Sequence, residues 1–546
     1  MTALLTDNLP LLAGAPNGIK KLRELILELA VRGKLVPQDP RDEPASELLK
    51  RVTVEKERLS QKVKKTSETS VCAGAFELPE SWCWASFGDI AQHNSGKTLD
   101  KGRNSGVPRD YITTSNLYWG RFELSVVRQM LIEEKDLARC TAIMNDLLIC
   151  EGGEAGRAAV WDQEREICFQ NHVHRARFYG GINPHYAQRC FERLNYSGEI
   201  AEYRKGVGIS NMSSKSLASI PVPLPPLAEQ HRIVAKVDEL MALCDRLEAR
   251  QADADSAHTQ LVQALLDSLT HARDAEDFAQ SWQRLAEHFH TLFTTESSID
   301  ALKQTLLQLA VMGKLALQDD PYNENRSDRP ESGSSDFLDK EAPPFEVPLG
   351  WHWVRLFELL EGGRDISYGV IKLGVEPKAG GVPVLRCSDV KPGHVVLHGV
   401  RRVSEKIEAD YVRTRLRGGE LIINIRGTLG GVALVDGSLA GYNVAREIAV
   451  VPVDSRHDPR FLLLVMLSPY FWNLVLDQLR GIAYKGLNLG TLREFPVPLP
   501  PLAEQHRIVA KVDELMSLCD QLKARLNQAR QVHEQLANAL VEQAVA

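Results

Sequence analysis

Three arginines at alternate positions, Arg413, Arg415 and Arg417, carry a spacing that points to chemistry. On a β-strand alternate residues share a face, so the pattern predicts three guanidinium groups side by side. Arg426 follows a predicted strand at 421–425 and opens a glycine turn at Gly427. A guanidinium can clamp a phosphate or grip a guanine edge through two parallel hydrogen bonds, and asparagine or glutamine suits adenine in the same way. The cluster therefore points to nucleic-acid contact, against a competing reading as a solvated strand face with local ion pairs. An earlier polar region, with Lys97, Thr98, Lys101, Arg103 and the run Thr113-Thr114-Ser115-Asn116, is similar in kind.

Catalytic motifs fail against their own chemistry. Gly96-Lys97-Thr98 looks like the end of a phosphate-binding loop, but that loop needs a glycine five positions before Gly96, where Ala91 stands. Gly206-Val207-Gly208 is followed by Asn211 where a dinucleotide fingerprint wants glycine. Asn183-Pro184-His185-Tyr186 is one residue from the Asn-Pro-Pro-Tyr signature of amino-methyltransferases. A later segment, Asp458-Pro459-Arg460-Phe461, keeps the helix-start chemistry and loses the amide, so the motif reads as a helix cap. His172 with His174, and His288 with His290, make at most half a metal site each. No elbow glycines frame a serine and no paired carboxylates stand out. The expectation is a chain without catalytic residues and without a metal site.

The elements that must position these residues come twice. Residues 221–250 return at 496–525, differing only at Ala242/Ser517, Arg246/Gln521 and Glu248/Lys523. Leu29-Ala30-Val31-Arg32-Gly33-Lys34-Leu35 is answered by Leu309-Ala310-Val311-Met312-Gly313-Lys314-Leu315, and Pro79 with Trp82 and Trp84 by Pro348 with Trp351 and Trp353. Asp146-Leu147-Leu148-Ile149 matches Glu420-Leu421-Ile422-Ile423, each followed by a glycine turn. Connecting segments are kept while globular segments drift, which implies one architectural unit built twice for two targets.

Periodicity divides the chain into a helical N-terminal region at 1–76, a strand-rich segment at 77–225, helices at 226–318, an acidic Pro/Ser-rich linker at 319–345 expected to be poorly ordered, a second strand-rich segment at 346–500, and a last helix at 501–546. The repeated helix has an apolar stripe at Ile233, Val237, Leu240, Cys244 and Leu247, repeated at Ile508, Val512, Leu515, Cys519 and Leu522. Steps of four and three make the seam of a helix lying along another helix. Near-identical stripes in one chain can pair about a pseudo-two-fold axis, so the two are expected to pack on each other; the alternative is that each packs on its own half. Cys244 and Cys519 read as core.

Composition sets outer limits. The 546 residues are 44% hydrophobic and 25% charged, as in a globular protein of several domains. Nine cysteines without a C-x-x-C pair form no disulfide framework or zinc pattern. No apolar run approaches bilayer length and residues 1–16 do not resemble a signal peptide, so a cytoplasmic chain is expected. The net charge of −7 argues against a wholesale nucleic-acid coat. Its distribution softens that objection: residues 346–495 carry 19 Lys+Arg against 16 Asp+Glu, and residues 77–220 carry 17 against 18.

The doubled Pro-Leu-Pro-Pro-Leu-Ala-Glu-Gln at the start of a helix resembles the specificity subunit of a Type I restriction-modification system. Supporting segments are the two Trp-x-Trp sites, Ile366-Ser367-Tyr368-Gly369-Val370, Val384-Leu385-Arg386-Cys387-Ser388-Asp389-Val390, Arg426-Gly427-Thr428-Leu429-Gly430 and Gly486-Leu487-Asn488-Leu489. The resemblance spans roughly the whole chain. It implies an α+β protein with two strand-rich target-recognition domains, joined by long antiparallel coiled-coil-like helices in a pseudo-two-fold repeat. It implies a non-catalytic, sequence-specific DNA-binding subunit that reads a bipartite, asymmetric site in double-stranded DNA and directs adenine methylation or cleavage by two methyltransferase subunits and restriction/translocase subunits. S-adenosylmethionine, ATP and magnesium would sit on those partners, with no cofactor in this chain. Tyr368, Lys372, Arg386, Ser388, Thr428 and Lys485 join the DNA-contact candidates. The first segment departs from the pattern, with Gly152 where the second has Arg426, and Ser210-Asn211-Met212-Ser213 where it has Leu487-Asn488-Leu489. The other readings are a self-contained DNA methyltransferase or nuclease with tandem recognition modules, and a coiled-coil scaffold without DNA contact.

Overall fold

A computed structural model describes residues 11–59, 74, 76–98, 100, 102, 104–205, 211–315, 343–479 and 486–545. Most of the expected linker at 319–345 lies outside them. The chain forms two compact units: one runs up to Ala254 and takes in Ala529 onward, the other is Asp255–Gln528.

The first unit is framed by helix α1 (Gly18–Val31), whose stripe of Leu22, Leu25, Ile26, Leu29 and Ala30 is buried. Gly33 ends it at φ +68°, in the left-handed region that favours glycine. A Cβ there would stand 2.5 Å from Pro79 Cγ, so two separate constraints ask for glycine. A charged helix, α2 (Ala45–Leu59), follows, and then Trp82, whose indole N–H donates to Glu229 at 3.0 Å. Strand β1 (Cys83–Ser86) pairs antiparallel with β12 (Pro221–Leu224), placing Trp84 opposite Pro223. The prolines of β12 are tolerated because the strand has only this one partner.

Between them lies a strand-rich module. Its first sheet has the order β2 (Ala91–Ser95), β11 (Val173–Phe178), β8 (Leu147–Cys150), β9 (Ala158–Val160). Its second has the order β6 (Arg128–Ile132), β3 (Val107–Ile112), β10 (Ile167–Phe169), β7 (Thr141–Ala142), with β3 and β10 parallel. A hairpin of β4 (Leu117–Tyr118) and β5 (Arg121–Phe122) completes it. β8 is buried on both faces, which is why it reads as an unbroken apolar run: Leu147 and Ile149 enter the core shared with the helices, Leu148 and Cys150 a second core within the module. Helix α3 (Glu134–Cys140) leads into β7. Helix α4 (Pro184–Tyr196) packs on α1 and β9, with Asn183 capping its start by accepting from the His185 N–H at 2.9 Å. A short helix α5 (Ser214–Ala218) precedes β12.

Helix α6 (Leu227–Thr270) then begins. Gln230, the last residue of the Pro-Leu-Pro-Pro-Leu-Ala-Glu-Gln motif, is fully buried. Its carbonyl accepts from the Asn183 N–H at 2.9 Å and its amide donates to the Pro225 carbonyl at 3.0 Å, clamping α6 to the start of α4. The motif is therefore a joint between the module and its helix.

The second unit repeats this plan. Helix α7 (Ala275–Glu287) precedes α8 (Glu296–Val311), which ends at Gly313 with φ +71° and 2.4 Å from a would-be Cβ to Pro348 Cγ. Strand β13 (His352–Arg355) pairs with β23 (Pro496–Leu499). One sheet runs β14 (Ser367–Tyr368), β22 (Ile448–Val451), β19 (Leu421–Asn424), β20 (Val432–Leu434). The other runs β18 (Arg401–Val403), β15 (Val382–Leu385), β21 (Asn443–Val444), with β15 and β21 parallel, beside the hairpin of β16 (Val390–Lys391) and β17 (His394–Val395). Asp458 caps α9 (Pro459–Leu467) as Asn183 caps α4, and α10 (Pro469–Leu479) and α11 (Leu489–Arg493) follow. Gln505, near the start of α12 (Leu502–Val545), accepts from the Asp458 N–H at 2.8 Å and donates to the Pro500 carbonyl at 2.9 Å.

The expectation that the two stripes pack on each other is not met. Ile233, Val237 and Cys244 lie in the first unit's core beside α1 and the α12 residues Ala537 and Ala544, with Leu240 and Leu247 packed against it. Ile508 and Val512 lie in a core of the second unit, and Leu515, Cys519 and Leu522 pack beside α8 and the α6 residues Val262, Leu266 and Leu269. Periodicity shows which face of a helix is buried and says nothing of its partner. Within each unit, the start of one long helix meets the end of the other. The differences between the repeats follow these contacts: Glu248 pairs with Arg23 of α1 at 2.8 Å, whereas Lys523, its counterpart, pairs with Asp300 of α8 at 3.0 Å. The charge is reversed on both sides of the joint.

Candidate nucleic-acid interface

Each module gathers its loops at one end, and two glycines explain how. After β14 the chain crosses β21 at Gly369, where a Cβ would stand 1.8 Å from the Val444 carbonyl oxygen. Val370 then bridges Ala445 in parallel, and Ile371 and Lys372 emerge into solvent. In the first module Gly96 crosses the Phe169 carbonyl with 2.1 Å for a Cβ, and Lys97 bridges Gln170. The Gly-Lys-Thr segment is thus a crossing point of strands.

Next to each crossing stands a turn locked by its fourth residue. Asp389 accepts from the Arg386 N–H at 2.9 Å and from the Arg386 guanidinium at 3.1 Å, while Ser388 at the tip donates to the same carboxylate at 2.9 Å. Asn116 does the corresponding work in the first module: its carbonyl accepts from the Thr113 N–H at 3.1 Å and its amide donates to the Glu123 and Val126 carbonyls. Asn116 is buried and its amide is committed to the turn, leaving Thr114 and Ser115 at the tip.

The third loop is the glycine turn after the central strand. Arg426 is exposed, bridges Gly486, and is followed by Gly427 at φ +76° and exposed Thr428. Gly152 occupies the same place in the first module, bridging Asn211. These bridges set the register of the neighbouring segments: Met212 answers to Leu487, and Ser213, which caps α5, answers to Asn488, which caps α11. The two modules tie this turn to the previous one by different means. Buried Asn424 donates to the Cys387 and Thr428 carbonyls at 3.0 and 3.1 Å. Cys150 stands at that register in the first module, and Arg157 reaches across instead, donating to the Thr114 carbonyl at 2.7 Å.

The tip of the second module therefore presents Lys372, Ser388, Arg426 and Thr428, with Tyr368 half-buried on β14 and packed against the core below. Arg446, one residue beyond the Val370 bridge, is half exposed and 3.5 Å from Glu447. Sequence reasoning missed it; its register partner Asn171 and the neighbouring His172 were the signal, a polar pair between two buried strands. In the first module Lys97 is paired with Asp136, Thr98 is exposed, and Glu151 and exposed Glu154 line the glycine turn. His174 is buried, faces the Met212 carbonyl at 3.2 Å, and burial holds its pKa below the ordinary histidine value. Lys101, Arg103 and Lys485 lie outside the described residues.

Arg413, Arg415 and Arg417 do not form a strand face. Residues Ala409–Thr414 are a 3-10 helix, and Leu416 alone joins the sheet edge through Tyr442. Thr414 and Leu416 are buried, which leaves the arginines exposed with a period of two and without a ladder. Arg415 pairs with the buried carboxylate of Glu408, and Arg417 stands 3.8 Å from Glu361. Arg413 has no partner among the described residues. Glu420 accepts from the Arg417 and Gly418 N–H groups just before β19, so these arginines and Arg426 sit at opposite ends of that strand.

Two copies of one strand-rich module, each with its loops gathered at one end and each clamped to a long helix, are the architecture of a Type I restriction-modification DNA specificity domain. The family model of that description matches residues 79–254 and 349–530, and the chain belongs to this family. It is 33% identical to the Type I restriction enzyme EcoAI specificity subunit of Escherichia coli, covering 97% of this chain and 94% of that one. It is 32% identical to the EcoEI specificity subunit of the same species over the same shares. A solved chain, from work on complex assembly and conformational transition of the type I R-M system, matches 86% of this chain and 99% of its own at TM-score 0.51 and 17% identity, which speaks for the fold. Among the described residues no single helix is long and apolar enough to cross a membrane.

Proposed function

We propose that this chain reads a bipartite, asymmetric site in double-stranded DNA, one half-site per module, and thereby directs adenine methylation or cleavage by the methyltransferase and restriction/translocase subunits of a Type I complex in the cytoplasm. The observation that carries this reading is the pair of loop tips: equivalent positions on one frame present different groups, Gly152 against Arg426 and Asn171 against Arg446. Two tips of different chemistry suit two different half-sites. On this reading the chain has no catalytic residue of its own, and S-adenosylmethionine, ATP and magnesium act on the partners. With near-neutral modules the counterion-release contribution to binding is small, so the chain alone binds DNA weakly and gains specificity once methyltransferase subunits are added.

The test is to map methylated adenines genome-wide with and without this gene. A single two-part motif that disappears with the gene supports the proposal. Methyl transfer by the purified chain alone, given S-adenosylmethionine, overturns it in favour of a self-contained methyltransferase.

A further inference from the structure

The two modules differ in chemistry at one buried place. In the second, Thr414 donates to Asn443 at 2.8 Å, and Asn443 donates to Glu408 at 3.1 Å. Strand register carries these positions onto the first module. β10 lies against β3 as β21 lies against β15, with Cys168 opposite Tyr111 and Asn443 opposite Val384. On the other side Ala142 pairs with Ile167, while Leu416 exchanges hydrogen bonds with Gly441 and Tyr442. Asn443 therefore answers to Cys168, and Thr414 to Cys140. A hydrogen-bonded polar pair in one module is a pair of thiols in the other.

The geometry suits reaction between them. Cys140 and Cys168 lie together in a small core with Tyr111, Met130 and Ile132, and Thr141, next to Cys140 in the chain, pairs with Cys168 across β7 and β10. Thr141 Oγ1 is 3.7 Å from Cys168 Sγ. Cys168, 4% exposed, also lines an open groove of about 420 Å³ with Arg109, Asp110, Gln129, Thr141 and Arg165, whereas Cys140, 1% exposed, is not among its lining residues. The neighbouring Cys140 draws the Cys168 thiol below the usual range against its burial; the Thr141 hydroxyl and Arg109 act in the same sense and Glu166 against it. The neighbouring Cys168 and burial push the Cys140 thiol up, with Asp136 raising and Lys97 lowering its pKa. Burial is the largest influence elsewhere and pushes the other way, Cys150 to about 11 against Arg157 and Cys190 to about 12 against Tyr186 and Arg193.

We propose that Cys140 and Cys168 form a peroxide-reactive dithiol, with Cys168 as the attacking sulfur and Cys140 as the resolving one. The Cys168 thiolate attacks one oxygen of hydrogen peroxide; an S–O bond forms as the O–O bond breaks, and the departing hydroxide takes a proton to become water. Cys140 then gives up its proton and displaces the hydroxyl of the sulfenic acid, so that an S–S bond forms, the S–O bond breaks and a second water leaves. Two thiols are oxidised to a disulfide while one peroxide is reduced to two waters. The assignment stands independently of the DNA-binding reading.

The experiment uses the reduced full-length chain and stoichiometric hydrogen peroxide, followed by mass spectrometry. A loss of about 2 Da and a Cys140–Cys168 cross-linked peptide are expected, with Cys190 untouched. In the Cys140→Ser variant, dimedone should trap a sulfenic acid at Cys168. Before oxidation, Cys168 should be alkylated on the order of tenfold faster than Cys150 or Cys190. A double variant, Cys140→Thr with Cys168→Asn, imports the other module's pair and should fold while losing the reaction. The proposal falls if Cys168 in the native parent chain reacts no faster than Cys190, or if peroxide joins other cysteines instead.

Discussion

The first and second modules share their joints and differ at their tips, and the two kinds of position obey different rules. Gly33 and Gly313 meet the same proline contact in the same backbone conformation, and Gln230 and Gln505 make the same two main-chain hydrogen bonds. Such positions admit one residue type, because the partner is backbone or a rigid ring. At the tips one geometrical task is met by unlike residues: Asn116 or Asp389 locks a turn, and Arg157 or Asn424 ties two turns together. Turn shape is held while side chains are exchangeable, which lets one frame carry two recognition surfaces.

The joints offer the most forceful way to break this comparison. Gly33→Ala and Gly313→Ala should each lose about 2–4 kcal/mol, the sum of left-handed strain and overpacking against proline. Urea unfolding of the single variants would read this, and a module that tolerates the change is not held by the same joint. Next comes Arg415→Ala, which leaves the buried Glu408 carboxylate with Asn443 as its remaining side-chain partner and should cost roughly 1–3 kcal/mol, discounted for the exposure of Arg415. Arg413→Ala should stay within about 0.5 kcal/mol.

The same pair adds a pH signature. The Arg415 hydrogen bond holds the Glu408 carboxyl below the usual range, so its stabilisation is fully present above the unfolded value of about 4.3 and is lost as pH falls through the folded one. Unfolding measured between about pH 3 and 7 should show that acid limb flattened in Arg415→Ala. An unchanged limb would place the dependence elsewhere.

Arg426→Ala sharpens the comparison at the tips, with an expected loss of ~1–3 kcal/mol confined to one half-site in binding assays with the methyltransferase subunits present. A uniform loss across unrelated sequences would assign Arg426 to phosphate. The smallest energetic effect belongs to the helices. Seven residues inserted in each long helix, after Ala254 and after Gln528, keep the helical phase to within ~20° and add ~10 Å. Methylation should then fall on the same half-sites about three base pairs further apart, at ~3.4 Å per step. An unaltered spacing would remove the helices from that role.

The frame was legible because it is written twice nearly verbatim: the helix starts, the glycine stops and the Trp-x-Trp strands all stand where spacing put them. Two readings failed for physical reasons. At 413–417 an alternation arose from burying Thr414 and Leu416 inside an irregular segment, and alternation alone cannot tell a ladder from a curled edge. The stripes of α6 and α12 were correctly apolar but were paired by likeness, whereas each packs on the helix of its own unit. Arg446 escaped notice because what brings it to the tip is a parallel bridge between segments 75 residues apart, Val370 and Ala445, and the polar pair that signals the position stands in the other module, at Asn171 and His172.

The first unit is closed by residues from both extremes of the chain: His533 faces the Leu11 carbonyl at 2.8 Å, Lys21 pairs with Glu534, and Ala537 and Ala544 fill the core begun by α1. On the ribosome the early helix and the Ile233–Cys244 stripe emerge long before the segment that covers them. Synthesis at ~5–20 residues per second leaves this apolar surface uncovered for roughly 15 to 60 seconds. Over that interval the nascent chain carries a first-unit core without its Ala537 and Ala544 cover, and a chain terminated before Ala529 should keep that core open, a difference that limited proteolysis would read.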